Sequence, residues 1–162
     1  MHKTGKVTAI DFNKNSIEVD IDKLTWRPAA YGIVIDGKKI LLSKQTNGYN
    51  LPGGGINFGE NPLEAVIREI KEETGITASN PRLIEASTYY FTSRSKQEVT
   101  YQAVALYYVC DFQPGSLSAD GLEDYEKEFT EGPVWLAIEE LNTAQIGAAN
   151  DFRDIIKKAQ KL

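Results

Sequence analysis

Glu69, Glu72 and Glu73 fall on one arc of a helix whose limits are written into the neighbouring residues. Asn61 suits the N-cap, Pro62 the first helical position, and Glu64, three residues after the cap, completes a capping box. Gly75 supplies the stop. Between those limits Leu63, Val66, Ile67 and Ile70 recur at i, i+3, i+4 and i+7, an apolar stripe for burial. The glutamates break the usual rules for the rest of such a helix. Glu69 and Glu73 form a like-charged i,i+4 pair, and Glu72 and Glu73 lie in the last turn, where the helix dipole favours cations. Three carboxylates about 5 Å apart repel by roughly 3 kcal/mol per pair at an effective dielectric of about 20, so an enclosed cluster calls for protons or a divalent cation. All-oxygen ligation suits Mg²⁺ or Mn²⁺, and Mg²⁺ commonly takes one or two carboxylates while keeping sites for water and a substrate phosphate.

A plainer reading treats Glu64, Arg68 and Glu72, at successive i,i+4 spacings, as a solvated face held by pairs worth about 0.2–0.5 kcal/mol each. The run Gly53-Gly54-Gly55, led in by Leu51-Pro52, favours the chemical reading, because a glycine loop lets backbone carbonyls and amides approach a metal or phosphate closely. The rest of the chain offers few other catalysts. His2 is the only histidine, which disfavours Ser-His or Cys-His nucleophilic catalysis. Cys110, within AVALYYVC, reads as a core thiol. No G-x4-G-K-[ST] loop or strand-to-helix G-x-G-x-x-G is present.

Gly54, five residues, Glu60, seven residues and then Arg68-Glu69-Ile70-Lys71-Glu72-Glu73-Thr74-Gly75-Ile76 resembles the Nudix hydrolase signature, G-x5-E-x7-R-E-U-x-E-E-x-G-U with U aliphatic, at every specified position. The flanks are similar too: AAYGIVI, KILLSK, the Leu-Pro-Gly-Gly lead-in with Tyr49 two residues before it, and Trp135-Leu136 followed by Glu139-Glu140-Leu141. The resemblance implies a Mg²⁺-dependent (or Mn²⁺-dependent) hydrolase that cleaves the diphosphate bond of a small nucleoside diphosphate linked to another moiety, by attack of water at phosphorus. Glu72 and Glu73 would be metal ligands, joined by the backbone carbonyl of Gly53 or Gly54. Glu69 would be a ligand or the base that accepts the proton of the attacking water. Arg68 would hold the carboxylates in place by charge-assisted hydrogen bonds, with Glu60 assisting through it. A further glutamate from a later loop completes the set in several members of the family. Glu128, Glu131 and Glu98 are the candidates here.

Substrate contacts are expected from Tyr89, with Tyr90 and Phe91 nearby, as a stacking surface, and from Arg27 or Arg94 toward a terminal phosphate. A proline about fifteen residues beyond the signature, frequent in ADP-sugar hydrolases, has no counterpart, since Pro81 comes too early. Two other classes share the resemblance: a nucleotide-sensing module without turnover, which the intact carboxylates disfavour, and an isopentenyl-diphosphate isomerase-like enzyme, for which Cys110 is poorly placed.

The elements that would position these residues point to an α/β fold in one domain over residues 1–162, long enough to bury a substantial core. KVTAIDF and SIEVDI read as an N-terminal hairpin within residues 1–24, an addition whose expected use is a homodimer contact or a lid. AAYGIVID and KILLSK, around Gly37-Lys38, read as a second hairpin. RLIEASTYYF and VTYQAVALYYVCDF follow as strands, then a polar loop from Gln113 to Gly132 and the strand PVWLAI. A closing helix opens at Asn150-Asp151 and carries Phe152, Ile155, Ile156 and Ala159 at helical spacing. The family resemblance implies that these form an α/β/α sandwich around a mixed sheet. The net charge of −5, with no Lys/Arg stripe, argues against a nucleic acid polymer as partner. No apolar run approaches 18 residues and no charged-then-apolar leader opens the chain, so neither a membrane span nor a secretory signal is expected. One cysteine and no leader make a cytoplasmic location the expectation.

Overall fold

The computed structural model describes residues 4–93 and 99–162. Arg94, Glu98 and His2 lie outside the described residues. In chain order the elements are β1 (Lys6–Ile10), β2 (Ser16–Asp20), β3 (Thr25–Ile33), β4 (Ile35–Asp36), β5 (Lys39–Gln45), β6 (Gly48–Asn50) and β7 (Gly53–Gly55). Helix α1 (Pro62–Thr74) follows, then the long strands β8 (Thr77–Thr92) and β9 (Thr100–Gln113), the single turn α2 (Asp124–Lys127), β10 (Thr130–Ala137) and α3 (Arg153–Ala159).

Two sheets result. The larger is mixed, in the order β2-β1-β8-β9-β3-β7, and the smaller joins β10, β5 and β4, with β6 paired to β5. Their apolar faces enclose two clusters. Val66 and Ile70 of α1 pack with Ala30, Val34, Leu41 and Tyr108 on one side, while Phe152, Ile155 and Ile156 pack with Ile33, Ile40 and Leu42 on the other. Helices thus cover opposite faces of the strands, the layered arrangement that apolar stripes on helices and alternation on strands demand. No helix among the described residues is long and apolar enough to cross a membrane.

Helix α1 starts as the sequence indicates. Asn61 Oδ1 accepts from the Leu63 amide, Glu64 Oε2 accepts from the Asn61 amide, and Gly75 ends the helix at φ 77°. Its buried face is displaced from the expected stripe. Leu63 is 43% exposed, whereas Ala65, Val66, Glu69, Ile70, Glu73 and Thr74 are buried. The helix therefore turns two carboxylates inward beside its apolar residues.

The close approach of α1 to the sheet depends on Gly32 of β3, where a Cβ would lie 2.3 Å from Ile70 Cδ1 and 2.7 Å from Cγ1. Gly32→Ala should therefore push α1 outward. Overpacking of this kind costs about 1–3 kcal/mol, and a fall in Tm of roughly 3–10 °C is expected in a thermal melt. An unchanged Tm would show that Ile70 has room to move.

Three expectations are corrected. Only Ile35 and Asp36 pair with Ile40 and Lys39 as a hairpin. Thr25–Ile33 belongs to the other sheet, parallel to β9 and antiparallel to β7. Val34, whose carbonyl accepts from the Leu41 amide, is where the chain passes between the sheets. The stretch from Gln113 to Gly132 is not wholly loop, because it contains α2 and the start of β10. The closing helix also begins later than Asn150-Asp151, at Arg153, whose amide donates to the Asp151 carboxylate at 3.1 Å. The N-terminal hairpin forms as expected, with β1 and β2 paired from Lys6↔Asp20 to Ile10↔Ser16.

Candidate active site

The glycine run forms β7, which pairs with β3 at Ala29–Tyr31 and runs beneath α1. At Gly54 a Cβ would stand 2.8 Å from Glu69 Oε1, so only a glycine lets that carboxylate rest against the strand. The Gly53 amide favours the charged form of the Glu73 carboxylate. Gly53 itself has φ 152°, and a Cβ there would meet the Ala30 carbonyl oxygen at 2.4 Å.

Arg68 gathers the remaining acids. Its Nε and Nη2 donate to the two oxygens of Glu60 at 2.6 and 3.0 Å, a bidentate fork. Nη1 reaches Glu69 Oε1 and Glu72 Oε2, each at 2.9 Å, and Nη2 also donates to the Gly55 carbonyl at 3.2 Å. Charge-assisted, planar contacts of this type fix geometry as well as charge. Hydrogen bonding to Arg68 holds the Glu60 carboxyl below its usual pKa.

Glu69 and Glu73 experience the opposite balance. Burial pushes Glu69 up to about 7, Arg68 opposing it and the charges of Glu72 and Glu126 adding to it. Burial, then the neighbouring charges of Glu69 and Glu126, push Glu73 well above the carboxylate range, against the Gly53 amide. Arg68 reaches Glu69, but among the described residues no cation pairs with Glu73. Its donors are hard oxygens, so by charge and chemistry these residues fit Mg²⁺ or Mn²⁺. Among the described residues no three acidic groups already converge as a finished cage, and Glu72 is turned toward Arg68.

Glu73 faces a cleft of about 260 Å³ that Gly53 and Glu126 also line. Alternation along the strands supplies its floor. The register sets Tyr31 opposite Tyr107, while Arg27 and Tyr89 both lie opposite Ala103. The Tyr31 and Tyr107 rings stack at 5.5 Å, the Tyr31 and Tyr89 hydroxyls are 2.8 Å apart, and Asn150 Nδ2 donates to the Tyr107 hydroxyl at 2.9 Å. Arg27 lies over the Phe91 and Tyr101 rings, 5.5 and 5.8 Å from their centres. Tyr89, Phe91 and Arg27 all line the cleft.

Of the later-loop candidates, Glu131 is half exposed and pairs with Lys44 at 2.7 Å, and Glu128 is exposed just beyond α2. The acid whose charge reaches Glu69 and Glu73 is instead Glu126, whose Oε2 caps the Glu123 amide at 2.9 Å. The Glu123-x-x-Glu126 spacing was a local capping signal, but its neighbours in space were not readable from it. Cys110 packs into the α1 cluster, and burial pushes its thiol up to about 12.

Fold and acidic cluster together define an α/β/α protein with a carboxylate-lined helix over a glycine strand. The NUDIX domain family model matches residues 25–158. The chain belongs to the NUDIX family. It is 35% identical over 106 residues to an ADP-ribose pyrophosphatase of Methanocaldococcus jannaschii, a match covering 62% of this chain and 59% of that protein. It is 43% identical over 74 residues to an RNA pyrophosphohydrolase of Actinobacillus pleuropneumoniae, covering 43% and 35%. The matches thus span less than two thirds of those relatives. The fold resembles the crystal structure of a MutT NUDIX hydrolase from Burkholderia pseudomallei, with a TM-score of 0.58 and 22% identity over 85% of this chain and 99% of that one.

Proposed function

We propose that this chain is a pyrophosphohydrolase that cleaves the diphosphate bond of a small nucleoside diphosphate derivative with Mg²⁺ (or Mn²⁺) as cofactor. The observation that carries the reading is the buried, under-compensated Glu69–Glu73 pair, set on a glycine strand at the end of an aromatic cleft. Glu72, Glu73 and the Gly53 (or Gly54) carbonyl would hold the cation, which supplies Lewis-acid polarisation of a phosphoryl oxygen and neutralises charge. Glu69 accepts the proton of the water whose oxygen bonds to phosphorus as the bond to the leaving phosphate breaks. Arg68, braced by Glu60, keeps Glu69 aimed at that position. Glu126 is the further acid closest in charge to the pair. Arg27 and Tyr89 line the path of the substrate.

The net charge of −5 favours a small substrate over a polymer, because a grip on many phosphates needs many cations. The test is a panel of nucleoside triphosphates, dinucleoside polyphosphates and nucleotide sugars, incubated with Mg²⁺ and with wild type, Glu72→Gln and Glu73→Gln. Turnover of one class by wild type, reduced at least about 100-fold in Glu73→Gln, is expected. Turnover that persists in both variants, or none on any compound, would remove the reading.

A further inference from the structure

The N-terminal hairpin lies outside residues 25–158 matched by the family, yet its turn reaches the cleft. Ile10, Asp11 and Phe12 all line it. The turn is fastened on both sides. Ile10 pairs with Phe91 at the end of β8. On the opposite side Asn47 Nδ2 donates to the Phe12 carbonyl at 3.4 Å and Lys14 Nζ donates to the Ala148 carbonyl. The loops that receive it are themselves joined, since Asn47 Nδ2 also donates to the Gly147 carbonyl and Gln145 Nε2 to the Asn47 carbonyl. The Asp11 carboxylate accepts from the Asn15 amide and side chain at 2.7 and 3.0 Å and closes the turn. Phe12 meets Phe129, just beyond α2, edge to face at 6.1 Å.

We propose that this turn selects the group beyond the diphosphate, and that Phe12, with Phe129, forms the wall against which a nucleobase packs, facing Phe91 and Asn150. The inference rests on the reading that the cleft takes the substrate, and it names the part of the chain that decides which one. Three observations favour a base over a sugar or a further phosphate. The flanking surfaces are aromatic, and every base has a π-face that stacks on such rings. Asn50, Asn150 and Gln45 add side-chain amides, each both donor and acceptor, to the same cleft. Asp11 and Glu126 outnumber Arg27, the one Lys or Arg among the described residues lining the cleft, a balance that weakens the hold on a terminal phosphate. At about 260 Å³, the space falls just below the ~300–1,000 Å³ that accommodates drug-sized ligands, a scale suited to one end of a nucleotide.

Calorimetric titration in Mg²⁺ with the four nucleoside monophosphates, and with ribose 5-phosphate as the base-free probe, tests this. The intact chain should bind at least one monophosphate about tenfold more tightly than ribose 5-phosphate. Phe12→Ala should abolish that preference, Phe12→Tyr should keep it, and circular dichroism should show both variants folded. Deletion of residues 1–20 should act as Phe12→Ala does. An intact chain without preference, or a preference that survives both Phe12→Ala and the deletion, overturns the proposal. A base preference that collapses in Phe12→Ala while no diphosphate is hydrolysed would refute the catalytic reading and leave this one standing.

Discussion

Glu69→Gln should lower kcat by about 10²–10⁴, the usual contribution of a positioned base, while the Mg²⁺ concentration for half-maximal rate stays within about threefold. A large loss of Mg²⁺ affinity would instead make Glu69 a ligand. The same variant should be more stable than wild type in chelator at pH 8. In the metal-free protein burial raises Glu69 from 4.5 to about 7. Between those values the folded chain holds a proton that the unfolded chain has released, so stability falls as pH rises through this window. At about 1.4 kcal/mol per pH unit the loss is on the order of 3 kcal/mol. Melting curves from pH 4.5 to 8 should show Tm declining in wild type without metal, a smaller decline in Glu69→Gln, and recovery of the wild type on adding Mg²⁺. A flat wild-type profile would mean that Glu69 ionises without penalty.

Arg68→Ala should be the most destabilising change near the site. It leaves Glu60, Glu69 and Glu72 with no guanidinium between them, and Glu69 is largely buried while Glu60 is partly so. Breaking such a pair costs about 3 kcal/mol, the lower end for buried pairs. Urea unfolding at pH 7 should report it. The deficit should shrink as pH falls below 4.5, because the stabilisation from Glu60, whose pKa Arg68 lowers from that value, is present above its unfolded pKa and is lost as pH falls through the folded one. Arg68→Lys should recover only part, since an ammonium carries the charge but cannot fork across three carboxylates. Activity should fall by a further 10–100-fold or so through loss of alignment. A variant as stable as wild type at every pH would show that the acids find other partners.

Much of this site was legible because its signals are local. Asn61, Pro62, Glu64 and Gly75 delimit α1 through their own capping chemistry, and the i,i+4 spacings that place Glu69 beside Glu73 and Arg68 beside Glu72 follow from helix geometry alone. What lay hidden depends on partners distant in sequence. AAYGIVI and KILLSK both read as strands, but pairing is decided by which sheet each apolar face covers, and Val34 divides them. Leu63 fits the apolar period yet faces outward, because the sheet meets α1 along the Ala65, Val66 and Ile70 side. Glu126 could not be told from Glu128 or Glu131 without knowing where α2 docks. The reach of Phe12 to Phe129 joins residues more than a hundred positions apart.

Gly121 lies directly against the Glu72 backbone, where a Cβ would come 2.6 Å from its Cα, and Gly75 is similarly close to Ser118. The segment leading to α2 is therefore clamped to the end of α1, main chain against main chain. This contact works as a gauge block between the two acid-bearing segments. Ala119 and Asp120, between the Ser118 and Gly121 contacts, can bulge outward without altering the gap from Glu126 to the acidic pair, whereas any side chain at position 121 would reset that gap from outside the pocket.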